Sequence, residues 1–330
     1  MDATKSPCSD PPPAGNAAAP KLQVLIADDD SLSRKILAAK LGKSGYDVRL
    51  ATTGDEAWDI LASEDSPRLV VLDWMMPGKS GVQVCELIRS KVGTRYVYVV
   101  LVTGKSQQND IITGLQAGAD DYLKKPYDFA ELEARLRTGQ RILDLEQRLI
   151  DAQNALHFQA THDGLTGLLN RSAVLDALDR ELSRAARDQT SVGIALIDLD
   201  HFKVINDTYG HTVGDRVLCE SMVRGKSVLR PYDFLGRYGG EEFLAVLPGC
   251  NREDAKTVAE RIRVRIASQP LMCDGNAVHI SASLGVTCSA DWPNNTVRLA
   301  LIRAADEALY RAKSAGRNRV EGALGGVQKK

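Results

Sequence analysis

The chain has 330 residues and a formal net charge of −1. That length accommodates two domains with ordinary apolar cores, and that charge gives no long-range pull on nucleic acid or acidic membranes. The cysteines (Cys8, Cys85, Cys219, Cys250, Cys273, Cys288) form no CxxC pair, so neither a zinc site nor a disulfide framework is indicated, and the thiols read as reduced. No apolar run approaches the roughly 18–20 residues of a membrane helix. Met1–Pro20 lacks the apolar segment of a secretory signal and reads as a disordered tail, which makes a cytoplasmic location the expectation.

From Leu22 to about Tyr127, short apolar runs alternate with amphipathic stretches. The runs are Leu22–Ala27, Asp47–Leu50, Leu69–Leu72, Tyr96–Val102 and Asp121–Leu123; helix-period segments such as Ser31–Leu41 and Val82–Ile88 lie between them. This alternation predicts a doubly wound, five-stranded parallel sheet, with ligands at the carboxyl ends of its strands. Asp28 and Asp29 end the first strand and Asp73 the third, so several carboxylates are expected side by side. Such a cluster calls for a cation, and hard oxygen ligands suit magnesium. Thr103 ends the fourth strand and Lys125 follows the fifth, a hydroxyl and an ammonium suited to an incoming phosphoryl group.

Phe129 to about Phe158 is rich in helix formers and contains no proline. A continuous helix over that stretch would be about 45 Å long, and Ile142, Leu145, Leu149, Ala152 and Leu156 recur within it at spacings of three and four, as in a short two-helix seam. The alternative is a helix packed on its own domain.

Asp163 reads as the N-cap that opens a second domain. A central strand is expected at Val192–Ile197 and a hairpin at Tyr232–Gly236 and Phe243–Leu247. Helices at Arg252–Ser268 and Thr296–Ser314 flank a strand at Val278–Val286, which predicts an α+β sheet with helices on one face. Period-2 geometry along the central strand would place Asp198 and Asp200 on one face. Gly239-Gly240-Glu241-Glu242 would form the tight turn, with Glu241 beside Asp198 as a second carboxylate for magnesium. Lys313 and Arg317, four residues apart, would face the same way, as clamping a triphosphate requires, though the pair taken alone reads first as a solvated helix face. Arg230 and Asp233, upstream of the turn, carry groups able to pair with guanine or phosphate, with a turn ion pair as the alternative. The GKS triplets that begin at Gly78, Gly104 and Gly225 lack the earlier glycine of a phosphate-binding loop, having Asp73, Val99 and Glu220 there.

Two families match these residues. VLIADDD, LVVLDWMMPGKSG, LVTGK and DDYLKKPY resemble the receiver domain of two-component response regulators over about residues 22–140, a flavodoxin-like fold. The resemblance implies that Asp73 accepts a phosphoryl group from a sensor histidine kinase or phosphotransfer protein. Asp28, Asp29, Asp73 and the Met75 carbonyl would hold magnesium, Thr103 and Lys125 would bind the phosphoryl group, and Tyr122 would be the rotameric switch. DGLTGLLNR, IDLDHFKVINDTYGHTVGD, RYGGEEF, SASLGV and ADEALYRAKSAGRNRV are similar to the GGDEF family of diguanylate cyclases over about residues 160–322. That implies a palm-like fold which converts two GTP to cyclic di-GMP and two pyrophosphates.

In that resemblance Asp198, the Leu199 carbonyl and Glu241 bind magnesium (manganese is the alternative), and Glu242 helps activate the ribose 3′-hydroxyl. Asn206 and Asp215 read the guanine edge. Phe202, Lys203, Gly239 and Gly240 meet the nucleotide, and Lys313 with Arg317 completes the clamp. Arg230 and Asp233 match the family's product-inhibition site, completed by a downstream arginine such as Arg261 or Arg263. His201 departs from the aromatic residue common in relatives. The expected organisation is a tail over 1–20, a receiver over 21–128, a helical linker over 129–160, a cyclase domain over 161–323 and a tail over 324–330. The enzyme would work as a homodimer or a tetramer. A silent module that senses cyclic di-GMP through Arg230 and Asp233 is the alternative function.

Overall fold

The computed structural model describes residues 22–91, 95–104, 108–273, 275–292 and 298–324. The tail expected at 1–20 and most of the one at 324–330 lie outside the described residues. The chain divides into two compact units near residue 155.

The first unit runs β1 (Gln23–Ala27), α1 (Ser31–Lys43), β2 (Asp47–Ala51), α2 (Gly54–Ala62), β3 (Leu69–Asp73), α3 (Gly81–Ser90), β4 (Tyr98–Thr103), α4 (Gln108–Gln116), β5 (Asp121–Lys124) and the start of α5 (Phe129–Thr161). Its strands form one parallel sheet in the order β2-β1-β3-β4-β5. β3 and β4 are buried along their whole length, as strands covered on both faces must be. Leu25, Val70 and Leu101 pack with Val84 on one side, while Ile26, Val71 and Val100 pack with Leu41 and Leu136 on the other. In α5, Leu132, Leu136 and Leu143 are buried, whereas Leu145, Leu149 and Leu156 face solvent, Leu149 at 69%. The first half of the helix therefore packs on its own domain, and the leucines of its second half do not. No helix among the described residues is long and apolar enough to cross a membrane.

The second unit continues with α6 (Arg171–Asp188), β6 (Val192–Leu199), α7 (Phe202–Tyr209), α8 (His211–Lys226), β7 (Phe234–Gly239), β8 (Glu242–Pro248), α9 (Arg252–Ile266), β9 (Leu271–Cys273), β10 (Asn276–Val278), β11 (Ala282–Cys288), α10 (Arg298–Ser314) and β12 (Val320–Gly322). β9 and β10 form a small hairpin, and the main sheet is mixed, in the order β12-β11-β6-β8-β7. Helices cover both faces of this sheet, not one. Ala195, Ile197 and Phe243 pack with α8 and α9, and Ile194, Leu196 and Leu244 pack with α6 and α10. The sign was in the sequence, since every residue of β6 is buried and its VGIALIDL run has no polar alternate positions before Asp198. The strand expected at Val278–Val286 is two strands, parted at residues 279–281. At Gly285 the backbone of α10 lies so close that an added Cβ would meet Ala305 O at 2.0 Å and Leu309 N at 2.4 Å. That contact seats α10 on the sheet and delivers its C-terminal end to the rim beyond β6.

Candidate functional site

In the first unit, Asp28, Asp29 and Asp73 come together at the strand ends, each offering a carboxylate oxygen within 4.8 Å of the others. Asp28 and Asp73 are buried and Asp29 is exposed. Lys125 reaches in from the end of β5, with Nζ 2.6 Å from Asp73 Oδ2 and 2.9 Å from Asp28 Oδ2. Burial holds the Asp73 carboxyl above the usual carboxylate range, and the Lys125 charge only partly offsets it. Burial alone would lower the Lys125 ammonium, but its bonds to Asp73 and Asp28 win and raise it. A buried acidic cluster with one shared ammonium is short of positive charge, and its all-oxygen donor set suits a small hard cation. Thr103 is buried at the end of β4 and Tyr122 is half-buried on β5, opposite Leu101. The Met75 amide donates to Asp73 Oδ1 at 3.4 Å.

In the second unit the hairpin is tighter than its sequence suggested. β7 runs through to Gly239, β8 starts at Glu242, and the turn is Gly240-Glu241. Gly240 has φ +50°, so the second glycine carries the backbone demand of the turn. A register shift between Arg237 and Gly239 puts Gly239 opposite Glu242. On the other side of β8, Glu242 lies directly opposite Asp198 of β6, and the Leu199 amide donates to Glu241 O at 3.4 Å. Burial, and then the Asp198 charge, raises the Glu242 carboxyl. Asp198, 6% exposed, is raised mainly by burial, with Glu241 and Asp200 adding to it and Lys313 opposing it. Lys313 Nζ sits 2.7 Å from Asp198 Oδ2.

The nucleotide-reading candidates gather on α7 and α8. An added Cβ at Gly214 would lie 1.7 Å from Asn206 Oδ1, so the Asn206 carboxamide rests against the backbone beside Asp215. Phe202 is buried and Lys203 exposed at the start of α7, where His201 has φ +58° and gives no side-chain cap. Asp200 is the first residue past the end of β6. Two expectations need correction here. Arg317 lies past the end of α10 with φ +62° and is not on a helical face with Lys313. Asp163 is not an N-cap: Asn170 caps α6, while Asp163 accepts from Thr166 and from Arg237 Nη1 at 3.2 Å.

Upstream of the hairpin, Arg230 and Asp233 close a turn through backbone bonds, Asp233 Oδ2 accepting from the Arg230 amide at 2.8 Å. The guanidinium donates to the Tyr232 hydroxyl at 3.2 Å. Asp233 Oδ1 is buried and has no hydrogen-bond partner among the described residues, a costly state unless something else binds there. Arg261 reaches this loop through the Val228 carbonyl at 3.0 Å, whereas Arg263 is turned to Glu260 and Asn318. Of these two arginines, Arg261 is the one bonded to the loop that carries Arg230 and Asp233.

Residues 24–137 match the response regulator receiver domain, and residues 160–319 match the diguanylate cyclase GGDEF domain. A solved structure of the coiled coil and GGDEF domain of DgcB from Caulobacter crescentus, in complex with c-di-GMP, is 35% identical with a TM-score of 0.52, covering 58% of this chain and 99% of that one. The chain belongs to the GGDEF family, with a receiver domain ahead of its GGDEF domain. Response regulator PleD of Caulobacter vibrioides is 33% identical over 303 residues, 91% of this chain. Diguanylate cyclase DgcP of Pseudomonas aeruginosa is 37% identical over 215 residues, 64% of this chain. The chain spans 65% of the length of PleD and 32% of that of DgcP.

Two GGDEF-domain residues went unassigned in the sequence. Arg237 ties Asp163 to the turn, donating through Nε to Gly240 O at 2.9 Å. Its place two residues before the glycines was the available signal. Asp200 is held by Ser281, Ser283 and Asn318, partners too distant in sequence for spacing to reveal.

Proposed function

We propose that this protein is a response regulator diguanylate cyclase that makes cyclic di-GMP and two pyrophosphates from two GTP. The observation that carries this reading is the Asp198/Glu242 pair, facing each other across β6 and β8 with Glu241 in the adjoining turn and Lys313 inserted beside them. Those oxygens favour a divalent cation, which we take to be Mg2+ or Mn2+, held by Asp198, the Leu199 carbonyl and Glu241. When bound, such an ion neutralises triphosphate charge and lowers the pKa of an attacking hydroxyl.

The chain's own groups do the rest. The uncapped amides that open α7 at Phe202, with the ammonium of Lys203, meet phosphate oxygens. Gly239 and Gly240 present bare backbone to the nucleotide. Asn206 and Asp215 bond the guanine edge, where a carboxylate accepts from both N1–H and N2–H. Lys313 exchanges its bond to Asp198 for one to the triphosphate, with Arg317 as second clamp. Glu242, with its raised affinity for protons, takes the proton of the 3′-hydroxyl as that oxygen attacks the α-phosphorus of the facing nucleotide and pyrophosphate leaves.

One such domain holds one GTP, so two must face each other, and their encounter is the step open to control. In this reading a kinase or phosphotransfer protein phosphorylates Asp73 within its Asp28, Asp29 and Met75 metal site. Thr103 and Lys125 bind the new phosphoryl group and Tyr122 follows it. The receiver then dimerises, and the exposed row Ile142, Leu145, Leu149 and Leu156 pairs with its counterpart. Cyclic di-GMP at Arg230, Asp233 and Arg261 closes the loop as inhibitor, supported by the unpartnered Asp233 Oδ1. Sedimentation and GTP turnover, measured with and without beryllofluoride as phosphoryl mimic, test the control step. Both should rise with the mimic; no change in either would overturn it.

A further inference from the structure

Asp200 is 4% exposed, yet the proposed chemistry does not use it. Its Oδ1 accepts from Ser283 Oγ at 2.6 Å; its Oδ2 accepts from Ser281 Oγ at 2.6 Å and from the Asn318 amide at 3.0 Å. Its own amide donates to Ser281 O at 2.9 Å. A carboxylate offers about four acceptor positions, and three of these are filled by protein donors, so Asp200 is built to hold the chain rather than to meet a ligand.

The segment it holds is strained. Gly316, Arg317 and Asn318 have consecutive φ values of +111°, +62° and +45°, and two of these residues carry a Cβ, which seldom tolerates that region. Among the bonds that keep them there are Asn318 N to Asp200, Arg317 N to Ala312 O at 3.0 Å, Arg263 Nη1 to Asn318 Oδ1 at 2.6 Å and Arg319 Nε to Arg317 O at 3.4 Å. The direction in which the Arg317 side chain leaves the backbone is set by this turn, since α10 has already ended. Asp198 and Asp200 thus flank Leu199 and grip the two halves of the cationic pair. Asp198 takes the Lys313 ammonium, and Asp200 takes the backbone that aims Arg317.

We infer that Asp200 is a positioning residue for recognition of the nucleotide's 5′-triphosphate, acting through Arg317. The inference rests on the reading of Lys313 and Arg317 as a phosphate clamp. It predicts a selective defect: loss of Asp200 weakens ligands with a triphosphate tail and spares those without one.

The test uses the full chain with 3′-deoxy-GTP, which lacks the attacking hydroxyl, and with GMP, measuring affinity by calorimetry. Asp200→Ala should weaken 3′-deoxy-GTP about 10- to 100-fold, as expected when a charge-assisted contact is lost, and change GMP affinity less than about 3-fold. Asp200→Asn keeps the shape and a neutral acceptor and should restore most of the loss; if the alanine variant does not fold, Asp200→Ser takes its place, since its shorter side chain cannot keep the bond to the Asn318 amide. Arg317→Ala should show the same selective loss, and combining it with Asp200→Ala should add little. Parallel loss of both ligands, no loss at all, or full additivity with Arg317→Ala would overturn the inference while leaving the cyclase reading intact. Failure of the unsubstituted chain to bind 3′-deoxy-GTP would instead overturn the clamp reading, and the inference with it.

Discussion

Replacing Lys313 with methionine keeps the aliphatic stem and removes the charge that sits 2.7 Å from Asp198. Asp198 is then a buried carboxylate facing Glu242 across the strand pair, with Glu241 near by and no ammonium. Leaving a buried charged acceptor without its donor costs about 1–3 kcal/mol. Because 33% of the Lys313 side chain reaches solvent, the lower part of that range applies, about 1–2 kcal/mol. For a domain of this size that is a fall in Tm of about 2–8 °C. The loss should depend on pH. Burial already holds the Asp198 carboxyl above its ordinary value, and removing Lys313 raises it further. A group raised in the folded state contributes fully below its unfolded value, about 3.9 for Asp, and loses that contribution as pH climbs through the folded value. The stability gap between native and Lys313→Met protein should therefore be small near about pH 4.5 and widen towards about pH 8, followed by differential scanning fluorimetry. A gap of equal size at both ends, or none at pH 8, would refute the buried-pair account.

Other consequences are as direct. Gly285→Val should drive α10 off the sheet, lowering Tm by more than about 5 °C and abolishing turnover, since overpacking against backbone costs about 1–3 kcal/mol or more. Arg237→Met frees both Asp163 and the Gly240 carbonyl; cyclase turnover should fall roughly 10-fold or more, the equivalent of one charge-assisted bond, with Tm shifted by only a few degrees. Burial, helped by Asp121 and Asp120, pushes the Tyr98 phenol up to about 12. Unfolded tyrosine ionises near about 10, so that part of the receiver's stability should be full below pH 10 and drain away between there and pH 12, as ultraviolet titration against denaturation would show. Asp73→Asn should leave basal turnover in place and erase the response to beryllofluoride.

The receiver's site was legible because its chemistry sits at strand ends, and strand ends follow from apolar runs: Asp28, Asp73, Thr103 and Lys125 all stand where the alternation put them. The GGDEF domain was less legible. Its hairpin was recognisable from Gly239 to Glu242, but the bulge before Gly239, which moved the turn onto Gly240 and Glu241, depends on cross-strand register that no local pattern encodes. The i,i+4 spacing of Lys313 and Arg317 misled because Gly316 ends helical geometry between them. Asp200 was left without a role because its partners Ser283 and Asn318 lie 83 and 118 residues away. Helices on both sheet faces could have been read from the unbroken apolar run of β6.

The central claim is tested most directly by incubating the purified chain with GTP and Mg2+ and quantifying cyclic di-GMP and pyrophosphate over a range of protein concentrations. Two pyrophosphates should form per cyclic dinucleotide, the specific rate should rise with protein concentration, and Glu241→Gln should lose both products. Cyclic di-GMP binding without its formation at any concentration would contradict the account and make the protein a sensor of that nucleotide.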